Sequence, residues 1–151
     1  MTQKPSHDTG KGQGVNFQDP LYRENILDHY RHPRNFGRIE NPTVTFHGDN
    51  PICGDEIDIA LQLDKNKITD AKFIGRGCAI SQASASMLME TLPGKTMEQA
   101  SGISKDNIME MLGVDVNATR LKCAILPLKV LEGALFLHKK ENEHKLKKRN
   151  G

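Results

Sequence analysis

The sequence predicts an α+β domain: a small three-stranded antiparallel sheet, helices packed on one face of it, and a long C-terminal helix. Three observations lead there. Apolar and polar residues alternate with period two within 43–75, and from residue 79 onwards the apolar residues recur at helical spacing. The strands form a block followed by helices, which favours antiparallel pairing over a parallel sheet. With 151 residues and 36% hydrophobic content, the chain can build one self-sufficient core.

Residues 1–18 are rich in Gly, Lys, Gln and Ser, and are expected as a mobile N-terminal tail before a domain at 19–138. Asp19-Pro20 reads as an N-cap followed by proline at the first helical position. Tyr22, Ile26, Leu27 and Tyr30 give one apolar stripe, so 20–31 is expected to be a helix, ended by Pro33 and Gly37. A strand is expected at 43–48. Ile57, Ile59, Leu61 and Leu63 alternate with Glu56, Asp58, Ala60 and Gln62, a half-buried strand. Asp64-Lys65-Asn66-Lys67 is its hairpin turn, and 68–74 the return strand. The Ala-, Ser- and Met-rich run 79–92 is a helix whose small side chains allow close packing, broken by Pro93-Gly94. Thr96 and Gln99 form a capping box, and Ser104 starts a helix that Gly113 ends. Leu121, Ala124, Leu128, Leu131 and Leu135 mark the last helix, expected from about Cys123. Pro127 then has to lie in its first turn.

The net charge is +2, but residues 138–151 carry six Lys/Arg against two Glu, a local net of +4, so the preceding residues sum to −2. A slightly acidic body does not suit a nucleic-acid grip. The segment 139–151 is read as a solvated basic tail. No segment approaches the roughly 18 apolar residues of a membrane span. The first 19 residues show no apolar signal core and no arginine, so a cytoplasmic location is expected.

Three cysteines, Cys53, Cys78 and Cys123, cannot close into a disulfide set. Cys53 lies in the turn Asn50-Pro51-Ile52-Cys53-Gly54-Asp55. Cys78 follows Gly75-Arg76-Gly77 directly before a helix, and Cys123 stands at the expected start of the last helix. A helix N-terminus favours thiolate, the form that binds metal or attacks sulfur. Their wide intervals mean that any shared site is assembled by the fold. Each also has a plainer reading, as a small buried hydrophobe. Three thiolates leave a tetrahedral site one ligand short, and Asp55 is the candidate for the fourth position, against a turn-capping role. Lys122 is an auxiliary candidate, against a solvated lysine. His29 and His32 are expected to be exposed, and His47 is an outside candidate. Met87, Met89, Met97, Met109 and Met111 read as core filler.

These residues carry a resemblance. Leu21-Tyr22-Arg23-Glu24-Asn25-Ile26-Leu27-Asp28-His29-Tyr30 with Pro33 and Asn35, Asn50-Pro51-Ile52-Cys53-Gly54-Asp55, Gly75-Arg76-Gly77-Cys78-Ala79-Ile80-Ser81 and Lys122-Cys123 are similar, in order and interval, to the U-type iron–sulfur cluster scaffold family of IscU-, NifU- and SufU-like proteins. The resemblance spans about 20–138. It implies an α+β domain whose three cysteines gather at one exposed end as ligands of a transient [2Fe–2S] cluster, with Asp55 assisting exchange. It also implies a cysteine desulfurase partner and recipient apoproteins; a homodimer stays open. Lys122 stands where IscU-type members have histidine, as in SufU-like members. Asn117-Ala118-Thr119-Arg120-Leu121 replaces the Leu-Pro-Pro-Val-Lys segment read by a specialised Hsp70, and Leu126-Pro127-Leu128-Lys129 lies on the wrong side of Cys123. The long insertion of SufU-like members is missing.

The expected function is assembly of a transient [2Fe–2S] cluster and its transfer to apoproteins, a carrier without turnover chemistry. The alternative is a sulfur relay with zinc on Asp55, Cys53, Cys78 and Cys123 that accepts persulfide sulfur from a cysteine desulfurase. A thiol enzyme would need a histidine base in a local motif, which the sequence does not offer.

Overall fold

The structure, a computed structural model, describes residues 15–16, 20–113, 115–116 and 118–150, with side chains for 20–113 and 120–147. The chain runs β1 (Val15–Asn16), α1 (Pro20–Arg31), β2 (Val44–Asn50), β3 (Asp55–Asp64), β4 (Lys67–Arg76), α2 (Ala79–Thr91), α3 (Met97–Ser101), α4 (Lys105–Leu112), β5 (Asp115–Val116) and α5 (Ala118–Asn150). β2, β3 and β4 form the expected antiparallel sheet in that order. Most of the stretch expected as a tail lies outside the described residues, as does the Asp19 cap. Val15 and Asn16 do not hang free: they pair antiparallel with Val116 and Asp115. Two-residue strands are too short for alternation to reveal.

The period-two pattern of β3 decides which face is covered. Ile57, Ile59 and Leu61 are buried, and their cross-strand partners on β2 are Gly48, Phe46 and Val44. The helices lie on that face. The other face carries ion pairs between opposite residues: His47 with Asp58, and Arg76, whose Nη2 donates to Glu56 Oε2 at 2.8 Å. The Asp58 hydrogen bond raises the His47 pKa. His47 is thus a solvated cross-strand partner on the sheet's outer face.

α2 is the central helix. Ile80 to Met89 are all buried, so its serines need internal partners. Ser81 Oγ donates to the Cys78 carbonyl at 3.2 Å and Ser84 Oγ to the Ala124 carbonyl at 2.7 Å. Ser86 Oγ accepts from the Arg34 N–H at 2.8 Å and lies 2.7 Å from His29 Nδ1; with Nε2–H turned to Glu90, Nδ1 is the acceptor of the Ser86 proton. Among the described residues, no buried side-chain polar atom lacks a partner. Met87 and Met89 are buried, and Met97, Met109 and Met111 pack against the core, as filler.

His32 is exposed, as expected, but His29 is buried. It sits three residues from Ile26, on the inward stripe of α1. The ring is thus assigned the neutral Nε2–H tautomer, which faces Glu90 Oε1 at 3.8 Å. Burial first, and the Arg34 charge second, lower its pKa against the opposing pull of Glu90 and Asp28. The unfolded chain takes up this proton near pH 6.5. The folded chain resists, so stability is present above that pH and is lost as pH falls below it. Measured against the His29→Asn variant, so that the opposite contribution of His47 cancels, the parent's thermal midpoint should therefore drop further between pH 7 and pH 5. His29→Asn, which keeps an acceptor for Ser86, should flatten that slope. An unchanged slope would place the acid sensitivity elsewhere.

The expected Thr96–Gln99 capping box forms, Ser104 starts α4 through a further box with Asn107, and Gly113 ends that helix. The last helix departs from expectation. It starts at Ala118, so Pro127 is its tenth residue and lies well beyond the first turn. A proline there removes the N–H that would bond the Cys123 carbonyl, typically at a cost of about 3 kcal/mol. The core holds the helix regardless: Ala124, Leu128, Leu131 and Leu135 are buried, and the Ser84 hydroxyl engages the neighbouring Ala124 carbonyl. Beyond His138 the described side chains of α5 are exposed, so we propose that 139–151 is dispensable. Deleting 140–151 should leave metal loading intact and shift the melting temperature by no more than about 2 °C. Loss of folding would refute this.

Candidate metal and cluster site

Four elements converge at one end of the sheet. Cys53 comes from the β2–β3 turn, where the N–H groups of Cys53 and Gly54 both donate to the Asn50 carbonyl, at 3.1 and 2.8 Å. Gly54 has φ +75°, a left-handed conformation that lets the turn lift Cys53 clear of the strands. Asp55 opens β3. It lies two residues before Ile57 on the same inward rail and is fully buried. The apolar alternation thus extends by one position into a carboxylate.

Cys78 is the N-cap residue of α2 and makes no side-chain cap of its own. Asp55 supplies it, with Oδ1 accepting the Cys78 N–H at 2.8 Å; Oδ2 lies 3.9 Å from Cys78 Sγ. Gly77, with φ +141°, makes room for this arrangement. A Cβ there would overlap the carboxylate, only 2.8 Å from Asp55 Cα and 2.9 Å from Cγ. Gly77→Ala should therefore cost about 1–3 kcal/mol and displace Asp55. Zinc loading should weaken by about tenfold or more, as when an orienting contact is lost. A variant with parental melting and loading would show that the carboxylate has slack.

Cys123 is buried, with Sγ 3.2 Å from Cys53 Sγ. The donor atoms of Cys53, Asp55 and Cys123 lie within 4.8 Å of one another, and Cys78 flanks the carboxylate. The fold thus brings Cys53, Asp55 and Cys123 together, with Cys78 on the other side of the carboxylate contact. One expectation needs correcting. Cys123 is the sixth residue of α5, too far inside for the helix N-terminus to stabilise its thiolate. Burial, reinforced by hydrogen bonds with Asp55 and Cys53, instead pushes its thiol well above the usual range. The metal-free site holds this proton, and loading has to release it.

Lys122 is exposed and lines a groove with Asn50 and Pro51 on the outside of α5. The cation at the thiols is Arg120. Its pKa is raised by a hydrogen bond with Cys123 and by the charges of Cys78 and Cys53. Sequence reading missed it because the helix was expected to begin at about Cys123, five residues after its actual start. Once α5 starts at Ala118, positions 120 and 123 share a face. His29 is occupied in the α1–α2 interface, and His47 lies across the sheet. The donors within reach of one another are thus two soft sulfurs and one hard oxygen, with the third sulfur beside that oxygen and a guanidinium that favours anionic species next to them. Such a set fits tetrahedral zinc, and equally a thiolate-bound iron centre with one weak ligand.

The NifU-like N terminal domain matches residues 21–145 of the chain. A Bacillus subtilis (strain 168) protein named zinc-dependent sulfurtransferase SufU is 40% identical over 131 residues, 76% of this chain and 88% of its own. An Archaeoglobus fulgidus protein named iron–sulfur cluster assembly scaffold protein IscU 1 is 34% identical, over 81% of this chain and 79% of its own. A crystal structure from Fervidobacterium islandicum AW-1, described as an iron–sulfur cluster assembly scaffold for the SUF system, superposes with a TM-score of 0.62 at 34% identity. It covers 74% of this chain and 94% of that one. With three thiols and a carboxylate gathered at one end of this fold, and with likeness over most of its length, the chain belongs to the NifU-like N-terminal domain family of U-type iron–sulfur scaffolds.

Proposed function

We propose that the protein assembles a transient [2Fe–2S] cluster on Cys53, Cys78 and Cys123 with Asp55, and passes it to recipient apoproteins. The observation that carries this is the meeting of Cys53, Cys123 and the buried Asp55 carboxylate, with Cys78 beside that carboxylate, at the ends of four elements. Thiolates suit sulfide-bridged iron. Four of them would retain the cargo as an electron carrier does. A carboxylate in place of the fourth leaves one iron weakly held, and a half-buried Cys53 and Cys78 leave a way in for an incoming thiol. Sulfur would come from a cysteine desulfurase, and the role is that of a carrier.

A second reading has its own support in the 40% identity to a zinc-dependent sulfurtransferase. Zinc, when bound by the same four residues, would hold the thiols ready. A thiolate freed from it would attack the outer sulfur of a desulfurase persulfide, gaining that sulfur and releasing the desulfurase cysteine as thiolate. Arg120 would steady the anionic sulfur. Metal and sulfide analysis of anaerobically purified protein, with a visible spectrum, tests both. Iron and sulfide in equal amounts with cluster absorbance support the scaffold. Zinc alone, persisting through anaerobic reconstitution, overturns it in favour of the relay.

A further inference from the structure

The two edges of the sheet differ. The outer edge of β4 is covered: Gly37 N–H donates to the Phe73 carbonyl and Phe73 N–H to the Asn35 carbonyl, while Ile68 pairs with Lys95 and Gly94. β2 is the opposite edge, and among the described residues its only strand neighbour is β3. An open edge is a row of donors and acceptors ready for another strand. Beside it, β2 and α5 enclose a groove of about 510 Å³ with an apolar floor that includes Phe46, Leu126 and Val130. Lys122 and Lys129 stand along its helical rim, both exposed. The groove runs out at Pro51, followed by Ile52, which is 81% exposed, and Cys53.

We propose that this groove docks an extended acidic segment of a partner protein. The segment adds as a strand beside β2, lays apolar side chains on Phe46, Leu126 and Val130, and sets carboxylates against Lys122 and Lys129. Charge selects the occupant. The chain's own first fourteen residues carry Lys4 and Lys11 against Asp8, and residues 138–151 carry six Lys/Arg against two Glu. Both ends are repelled by a lysine rim. Asp49 also lines the groove, but it stands in register opposite Glu56 and acts on His47, so its charge lies toward the sheet's other face. A partner strand continues at about 3.3 Å per residue. A cysteine two or three residues past Pro51 is thereby carried to Cys53. That delivery role rests on the cluster reading above; the docking itself does not.

The test titrates the full-length chain into a fluorescein-labelled seven-residue peptide of alternating glutamate and valine, with a lysine–valine peptide as control. The glutamate peptide should bind saturably and more weakly as salt rises, while the lysine peptide should not bind. Lys129→Glu should weaken the glutamate peptide about threefold or more and admit the lysine peptide. Amide shifts on binding should concentrate in 44–50 and 122–130. No binding with the chain at millimolar concentration, indifference to Lys129→Glu, or shifts confined to the outer sheet face would overturn the proposal. Zinc and cluster loading are measured on the same variant and should equal the parent's. Lost peptide binding with intact loading thus bears on the groove alone, whereas loading by the Cys53, Cys78 and Cys123 variants bears on the site reading.

Discussion

Cys123→Ser is expected to lose stable loading of zinc or cluster altogether. Its sulfur is the innermost of the three, buried and 3.2 Å from Cys53 Sγ, so no other side chain can take its place without moving the core. A serine hydroxyl stays protonated at neutral pH and is a poor ligand for a soft centre. Removing even a residue that only orients a ligand typically costs about 10–100-fold in metal affinity, and a ligand itself should cost more. The fold should survive, because serine nearly matches the volume of cysteine and can bond a nearby backbone carbonyl. Far-UV circular dichroism and the melting midpoint check that. Metal content after anaerobic reconstitution gives the result. Cys53→Ser and Cys78→Ser should behave alike. A Cys123→Ser protein that holds metal as the parent does would refute a shared site.

Asp55 carries the second large effect. Its carboxylate does two jobs that can be separated. Oδ1 caps α2 by accepting the Cys78 N–H, and Oδ2, 3.9 Å from Cys78 Sγ, would on the proposed reading be the hard ligand that keeps the cargo exchangeable. Asp55→Ala removes both. It should lower stability by about 0.5–2 kcal/mol, as the loss of a cap does. It should also hold a longer-lived [2Fe–2S] cluster, with transfer to an apo-acceptor slowed by about tenfold or more. Asp55→Asn keeps an amide oxygen for the Cys78 N–H but gives up the negative charge. It should melt close to the parent while still retaining its cluster longer. Cluster absorbance against time and the melting curve, read on both variants, separate the roles. A shorter-lived cluster in both would make Asp55 an ordinary ligand and end the exchange argument.

What the sequence determined alone is local. Alternation at Ile57, Ile59 and Leu61 assigned β3 and its buried face, Lys65-Asn66 its turn, and Thr96, Ser104 and Gly113 the limits of the short helices. These signals are legible because residues a few positions apart satisfy them. The three cysteines and Asp55 could be proposed together from residue type and resemblance. The same alternation, carried back two residues from Ile57, would have put Asp55 on the buried rail. Tertiary structure decided the rest. α5 begins at Ala118 and tolerates Pro127 because packing on the sheet and on α2 outweighs one lost hydrogen bond, and only that earlier start places Arg120 beside Cys123. His29 looks exposed in a polar helix end, but Ser86, fifty-seven residues away, gives its nitrogen a buried partner. Cys53 and Cys123 meet across seventy residues of chain. Contacts of that separation leave no periodic trace in sequence, because what brings them together is the burial of the faces between them.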